Sequence, residues 1–478
     1  MKAMDYRPKI HFSAPNGWLN DPNGLVYFEG EYHLFYQHNP GDIIHGPMYW
    51  GHAVSRNLLH WEHLPIALYP DEHGVIFSGS SVVDWHDTTG FFNGSHGLVA
   101  IFTHHRADRI AGKCQSQSIA YSLDNGRTWE KYSGNPVIPG EVGKDFRDPK
   151  VFWHEQSNGW IMLLAVGDCV EFYGSPDLKE WQYLSRFTSG STAGVWECPD
   201  LFLLKEENTQ EEKWVLTIGV GKGAPAGGSG IQYFVGEFDG ERFTADPRID
   251  TEPLWLDYGK DYYAGQSWSD EPGDRRLWIC WMNNWEYANS IPATDWRGAM
   301  TLPRELLLKK VEKQFFLYQQ PVRELSEASV LIHRSKNVLA SASSPITIDR
   351  LNSALDIQLE LKKQSNQKVL IRLLSAGADE LSIGWNNGEL YLDRTEAGKS
   401  DFAPGFPGRH IAPLELEKES LSMRILVDSC SVEVFAQDGF VSITDLVFPN
   451  QEYTQLEIAS LTNEEVILEK LEINRIRG

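Results

Sequence analysis

Cysteine is scarce in this chain. Five thiols, Cys114, Cys169, Cys198, Cys280 and Cys430, are scattered over 478 residues. The number is odd and no C-x-x-C occurs, which argues against a disulfide framework and against a structural zinc site. No run of 18 apolar residues exists, so no membrane-spanning helix is expected. The 15 histidines are dispersed, and His104-His105 lacks an H-E-x-x-H context, so no metal is expected. No G-x-S-x-G elbow supports a serine hydrolase. The glycine-rich stretch from Gly219 to Gly230 leads into the strand-like "IQYFVGEF" rather than a helix. It reads as a loop, not a phosphate cradle, and no cofactor is expected. Positive charge is also in deficit: 43 Lys and Arg against 66 Asp and Glu give a net charge of −23. Such a surface repels phosphate backbones and disfavours nucleic acid as a partner. The opening "MKAMDYRPKIHF" has no apolar h-region. Together with the unpaired cysteines this predicts a cytoplasmic protein, the alternative being secretion with a leader absent from this chain.

Helical periodicity is nearly missing from the first 310 residues, which favours an all-β chain. Hydrophobic content of 41% and charged content of 23% are ordinary for a globular protein. Aromatic content is the outlier, at 12% with 17 Trp. Indole faces stack on the C–H faces of sugars, although core packing accounts for any single Trp. Three segments resemble one another: Ser55 to Trp61, Ser122 to Trp129 and Ser175 to Trp181. Each has Ser, then Asp or Asn near a polar tip, then Trp at the start of a new apolar run. Their tryptophans recur after 68 and then 52 residues, a spacing that fits about four short strands per repeat, the size of a propeller blade. Sixteen of the 17 Trp precede residue 310, and only Trp385 follows. The composition predicts a propeller over 1–310, a linker with a short helix over 311–328, and a β-sandwich over 329–478. Turn signals such as Asn386-Asn387-Gly388 and Gln437-Asp438-Gly439 separate the later strands.

With metals and nucleotides set aside, carboxylates remain. Asn20-Asp21-Pro22-Asn23-Gly24 has the residue order of a type I turn between two strand-like runs. Asp148 lies in "KDFRDPKVFW" and Glu197 in "GVWECPDLFLL", each ahead of an apolar run. Singly, each is a turn or surface acid by default. Together they are spaced by 127 and 49 residues, which allows each a different blade. The inner strands of a propeller converge on one axis, where acids from separate blades can meet.

The order of "WLNDPNG", "FYQHNP", "YWGHAVS", "FSGS", "FRDPKV", "WECPDLF" and "MTLPREL" resembles glycoside hydrolase family 32 over nearly the whole chain. "GGSGIQYFVGEFDG", "LDYGKDYYAGQSWS" and "WMNNWEYANSIPATDWRGAM" resemble its levanase, exo-inulinase and invertase branch most closely. The resemblance implies a five-bladed propeller followed by a β-sandwich, and exo-acting cleavage of fructofuranosides with retention. It implies Asp21 as nucleophile, Glu197 as general acid and then base, and Asp148 as a partner of fructose hydroxyls. An oxocarbenium-like transition state wants an ionised carboxylate on one side and a proton donor at the leaving oxygen. Arg147 would help keep Asp148 ionised. Asn20, Gln37, Phe77, Ser78 and Trp285 match positions that line the fructose pocket, and Asp261 and Tyr262 lie in "DYYA" near the same cavity. Where the family often reads W-G-P-M-x-W, this chain reads His45-Gly46-Pro47-Met48-Tyr49-Trp50. His45 therefore replaces an indole at the rim, beside Trp50. The implied partner is a fructose-containing sugar. Fructosyl transfer would use the same residues, whereas a non-catalytic sugar-binding propeller would lack one of the three acids.

Overall fold

Apolar residues alternating with polar ones build strands through nearly the whole chain, and among the described residues they form seven sheets, paired antiparallel but for one short parallel segment. The computed structural model describes residues 4–108, 112–248, 252–351, 354–362, 368–386, 388–415 and 420–477. Asn387, in one of the turns read from sequence, lies outside them. Among the described residues the one α-helix is the single turn Leu325–Ala328.

Five of the sheets are blades of a propeller. Their inner strands are Gly17–Phe28, Val75–Val83, Arg147–His154, Trp196–Lys205 and Tyr263–Ser267. Each inner strand packs beside the next, and the fifth returns to the first. The ring is latched by Trp296–Arg297, a late segment that pairs in parallel with Gly17 and Trp18 of blade one. Aromatic bulk fills the wedge between blades: Trp18, Trp268, Trp278 and Trp281 share one buried cluster.

The three repeats seen in the sequence are the same turn in blades one, two and three. Each joins a blade's third strand to its fourth. The indole N–H groups of Trp61, Trp129 and Trp181 donate to the carbonyls of Leu58, Gly126 and Leu178 at 3.1, 3.0 and 3.0 Å. Each carbonyl belongs to a residue with left-handed φ, between +63° and +80°. The repeat is thus a backbone turn locked by an indole, which explains why Trp closes it.

Two sequence expectations need correction. Residues 311–328 are not mainly a linker: Gln314–Pro321 pairs residue for residue with Arg304–Val311 as the outer edge of blade five. Phe315, Leu317 and Gln319 alternate inward, a strand period concealed by the charged residues just before it. Nor is the Asn20–Gly24 segment a turn. It runs inside the 12-residue strand Gly17–Phe28, with two register breaks against the neighbouring strand. Gly24, at φ +55°, passes so close to Phe35, Trp50 and Ser81 that a Cβ would fall 2.5–2.9 Å from them. The true turn is Glu29-Gly30, both at positive φ, as a two-residue hairpin requires.

The tryptophan-poor half forms two stacked sheets of seven and six strands around Leu359, Ile371, Ile383, Ile425, Val434 and Ile473. It meets the propeller through buried charges. His11 lies between Asp428 and Glu433 at 2.8 Å from each. Arg304 reaches Glu433 at 2.5 Å, and Asp257 accepts from the Thr444 and Ser442 hydroxyls at 2.7 and 2.8 Å. Such pairs add little net stability over apolar packing, but removing one partner strands a buried charge.

Candidate active site

The same device opens all five inner strands. Pairing with the second strand breaks register between Leu19 and Val26, Ile76 and Gly79, Arg147 and Lys150, Glu197 and Asp200, and Tyr263 and Gln266. A β-bulge re-aims the side chains at the break. Asp148, Cys198 and Ala264 take left-handed φ of +61°, +48° and +52° there. That conformation costs roughly 1–2 kcal/mol at a non-glycine residue, and here it falls on Asp148 itself and on the residues that follow Glu197 and Tyr263.

Three acids from blades one, three and four meet in this way. The buried Asp21 accepts from the Ser78 hydroxyl at 2.6 Å and from the Asn20 amide at 3.0 Å. Asn20 is itself fixed by the Trp18 indole N–H at 2.7 Å. Asp148 is also buried; it accepts from the Cys198 backbone N–H at 3.0 Å. The Cys198 thiol bridges the two, 3.4 Å from Asp21 and 3.7 Å from Asp148. Glu197 is more open, its side chain 23% exposed. The Tyr263 hydroxyl donates to one of its oxygens at 2.6 Å and Arg147 to the other at 3.1 Å. Arg147 is held in place by Asp145 at 2.5 Å.

Clustered negative charge out of water shifts proton affinities. Burial pushes Asp148 up to about 7, with Arg147 pulling downward and the charges of Glu197 and Asp21 adding to the rise. Asp21 is raised as well, chiefly by burial, while its bonds from Ser78 and Asn20 oppose the rise. The Cys198 thiol is pushed far up by burial and then by Asp21 and Asp148. It stays a neutral S–H donor and not a thiolate. Around the opening, Trp285 stacks over Trp18 with centroids 6.1 Å apart, and His45 stands edge-on to Trp285 at 5.4 Å. Phe77 lies flat on His105 at 4.2 Å and edge-on to His45 at 6.4 Å. Flat rings thus gather beside the acids, with His45 near enough for the charge of Glu197 to act on it. Among the described residues no group of three or more His, Cys, Asp or Glu side chains could hold a metal.

Residues 11–321 match the Glycosyl hydrolases family 32 N-terminal domain, and residues 321–475 match the Glycosyl hydrolases family 32 C terminal domain. The chain belongs to glycosyl hydrolase family 32. It is 47% identical over 466 residues to a levanase of Bacillus subtilis (strain 168), covering 95% of this chain and 68% of that protein. The crystal structure of exo-inulinase from Aspergillus awamori superposes with a TM-score of 0.91 at 35% identity, covering 98% of each chain. A beta-fructofuranosidase from Schwanniomyces occidentalis, solved with fructosyl-erythritol, gives a TM-score of 0.89 at 35% identity, covering 99% of this chain and 98% of that one.

In this family 32 enzyme, Asn20, Asp21, Ser78, Arg147, Asp148 and Glu197 come together, and His45 is in ring contact with Phe77 and Trp285 beside them. Gln37 and Trp50 are buried and bonded to neighbours of these residues. The Gln37 amide donates to Asn23 at 2.9 Å, and the fully buried Trp50 donates to the carbonyl of Phe77 at 3.0 Å. Arg147 differs in detail: it lies nearer Glu197, at 3.1 Å, than Asp148, at 3.8 Å. Asp261 and Tyr262 are not in the pocket. Asp261 is buried in the domain interface, ion-paired to Arg394 at 2.6 Å and bonded by Tyr287 at 2.6 Å. Tyr262 points into the core, to Gln319 and Trp278. The pocket residue of that motif is their neighbour Tyr263. Adjacent residues of a strand face opposite ways, so Tyr262 enters the core and Tyr263 reaches Glu197. Trp18, Tyr263 and Cys198 complete the site. All three lie inside motifs visible in the sequence, but their contact with the acids depends on the bulges.

Proposed function

We propose that this protein is a retaining, exo-acting β-fructofuranosidase that releases terminal fructose from sucrose and from β-linked fructans. The observation that carries the reading is the division of labour among the acids. Asp21 is buried, fixed by two donors and beside Asp148; Glu197 is partly open to solvent on the rim side. Asp21 attacks the anomeric carbon and forms a fructosyl-enzyme ester while Glu197 protonates the departing oxygen. Glu197 then takes a proton from water, which attacks the same carbon and frees Asp21. Asp148 accepts hydrogen bonds from fructose hydroxyls and stabilises the positive charge that develops on the ring. Tyr263 and Arg147 hold the Glu197 carboxyl at the leaving group. The rings gathered beside the acids support capture of a single terminal sugar, with varied groups accepted beyond them.

The test is a time course on inulin, levan and sucrose side by side. Free fructose should be the first product from each polymer, and sucrose should be split. Early release of oligosaccharides without free fructose would overturn the exo-acting reading.

A further inference from the structure

The inner strands that begin at the acids end at a second cavity. Lys150 lies two residues beyond Asp148, and Asp200 three beyond Glu197. These two side chains form a buried ion pair at 2.9 Å, with Ser267 donating twice to the same Asp200 oxygen at 2.8 Å. The pair divides the axis, roughly 7–10 Å along the strands from the acids. Beyond it lies a cavity of about 340 Å³ between blades two, three, four and five.

Its lining combines an aromatic wall with a polar edge. Trp85 is 50% exposed, packed on one side by His96, with its N–H held by Asp270 at 2.8 Å. Trp153 lies opposite, beside His86. Polar groups of the lining, the Lys150–Asp200 pair with Ser267, Asp270 and Glu155, lie beside that wall. The lining cations Lys150 and Arg276 are balanced by Asp200, Asp270 and Glu155, which disfavours an anion. A ring with hydroxyls on its edge and C–H groups on its face suits an aromatic wall with a polar, charge-balanced edge, and one monosaccharide unit fits the volume.

We propose that this cavity is a second, non-catalytic site for one fructosyl unit of a fructan chain, with Trp85 as its stacking platform. The chemical identity of the sugar rests on the proposed function; the site itself does not touch the acids. Anchoring a polymer here would raise the local concentration of chain ends at the pocket, an effect that sucrose cannot share.

The experiment is affinity electrophoresis in native gels containing levan or inulin, with every protein carrying Asp21→Asn so that the polymer is not consumed. Trp85→Ala should weaken apparent affinity by about tenfold, the loss of one aromatic contact, and Trp85→Phe should restore most of it. Without Asp21→Asn, Trp85→Ala should leave kcat and KM on sucrose within about twofold of the parent. Should Trp85→Ala fail to fold, Glu155→Trp, which fills the cavity from its edge, must give the same loss of retention. Equal retardation of all variants, or no retardation of the parent while sucrose is hydrolysed normally, would overturn the second site and leave the proposed function standing. Absence of hydrolysis on sucrose and both fructans would instead overturn the function.

Discussion

Replacing His11 by glutamine should destabilise the protein strongly at pH 6 and weakly at pH 10. His11 is fully buried, and each ring nitrogen faces a carboxylate at 2.8 Å. A neutral imidazole has only one N–H, so both contacts are satisfied only by the cation. Burial by itself would lower its pKa; the bonds to Asp428 and Glu433 overcome that and raise it to about 9. The rise from 6.5 to about 9 corresponds to about 3 kcal/mol of folding free energy. Because the folded value is the higher one, this stability is whole below pH 6.5 and is lost as pH climbs through 9. Asp428 and Glu433, both held at about 2, behave oppositely: their contribution exists above the ordinary carboxylate range and vanishes as pH falls through 2. Glutamine removes the charge and leaves Asp428 only neutral donors, among them the backbone N–H groups of Lys9, Ile10 and Ser429, whereas Glu433 keeps Arg304. Breaking a buried pair of this kind costs about 3–5 kcal/mol. Thermal unfolding followed by circular dichroism at pH 6, 8 and 10 would measure the gap between parent and variant. It should be widest at pH 6 and narrow sharply by pH 10. A gap that stays constant with pH would refute the claim that His11 is charged in the folded protein.

Other consequences are equally direct. Asp21→Asn should lower turnover by several orders of magnitude with every leaving group, since no ester can form, whereas Glu197→Gln should recover its first step on an aryl fructoside that needs little protonation; rates on sucrose and on the aryl substrate distinguish them. Tyr263→Phe should lower kcat on sucrose about tenfold with little change in KM, because it removes one bond that orients Glu197; a large change in KM alone would count against that role. Asp148→Asn should abolish activity yet raise the thermal midpoint above pH 7. Burial lifts the folded pKa of Asp148 to about 7, so its ionisation opposes folding increasingly as pH rises from about 4 to 7, and the amide escapes that cost. At pH 4 the midpoints should differ little.

The architecture was largely legible because its signals are local. The Ser-to-Trp repeats mark one turn per blade, and the loss of tryptophan near residue 310 marks the change from wedge-filling indoles to the aliphatic core of the sandwich. The acids stood out by their settings and family resemblance. What the sequence concealed was backbone irregularity. The Asp-Pro-Asn-Gly segment has turn chemistry, yet ring closure with blades two and five holds it as strand and converts its turn tendency into bulges. The same irregularity decides between Tyr262 and Tyr263, which no composition rule distinguishes. Asp261 departs from the expectation for another reason: this buried carboxylate is bound by Arg394, 133 residues away in the other domain. Long-range pairing of that kind leaves no local trace.

The central claim is double displacement through Asp21, and the stereochemistry of the first product tests it most directly. Proton NMR on sucrose at high enzyme concentration, recorded before mutarotation, reports which fructofuranose anomer is released. Two successive inversions predict the β-anomer at the outset, with the α-anomer appearing only as mutarotation proceeds. Initial release of the α-anomer would mean a single displacement by water, with Asp21 acting as a base, and would contradict the account.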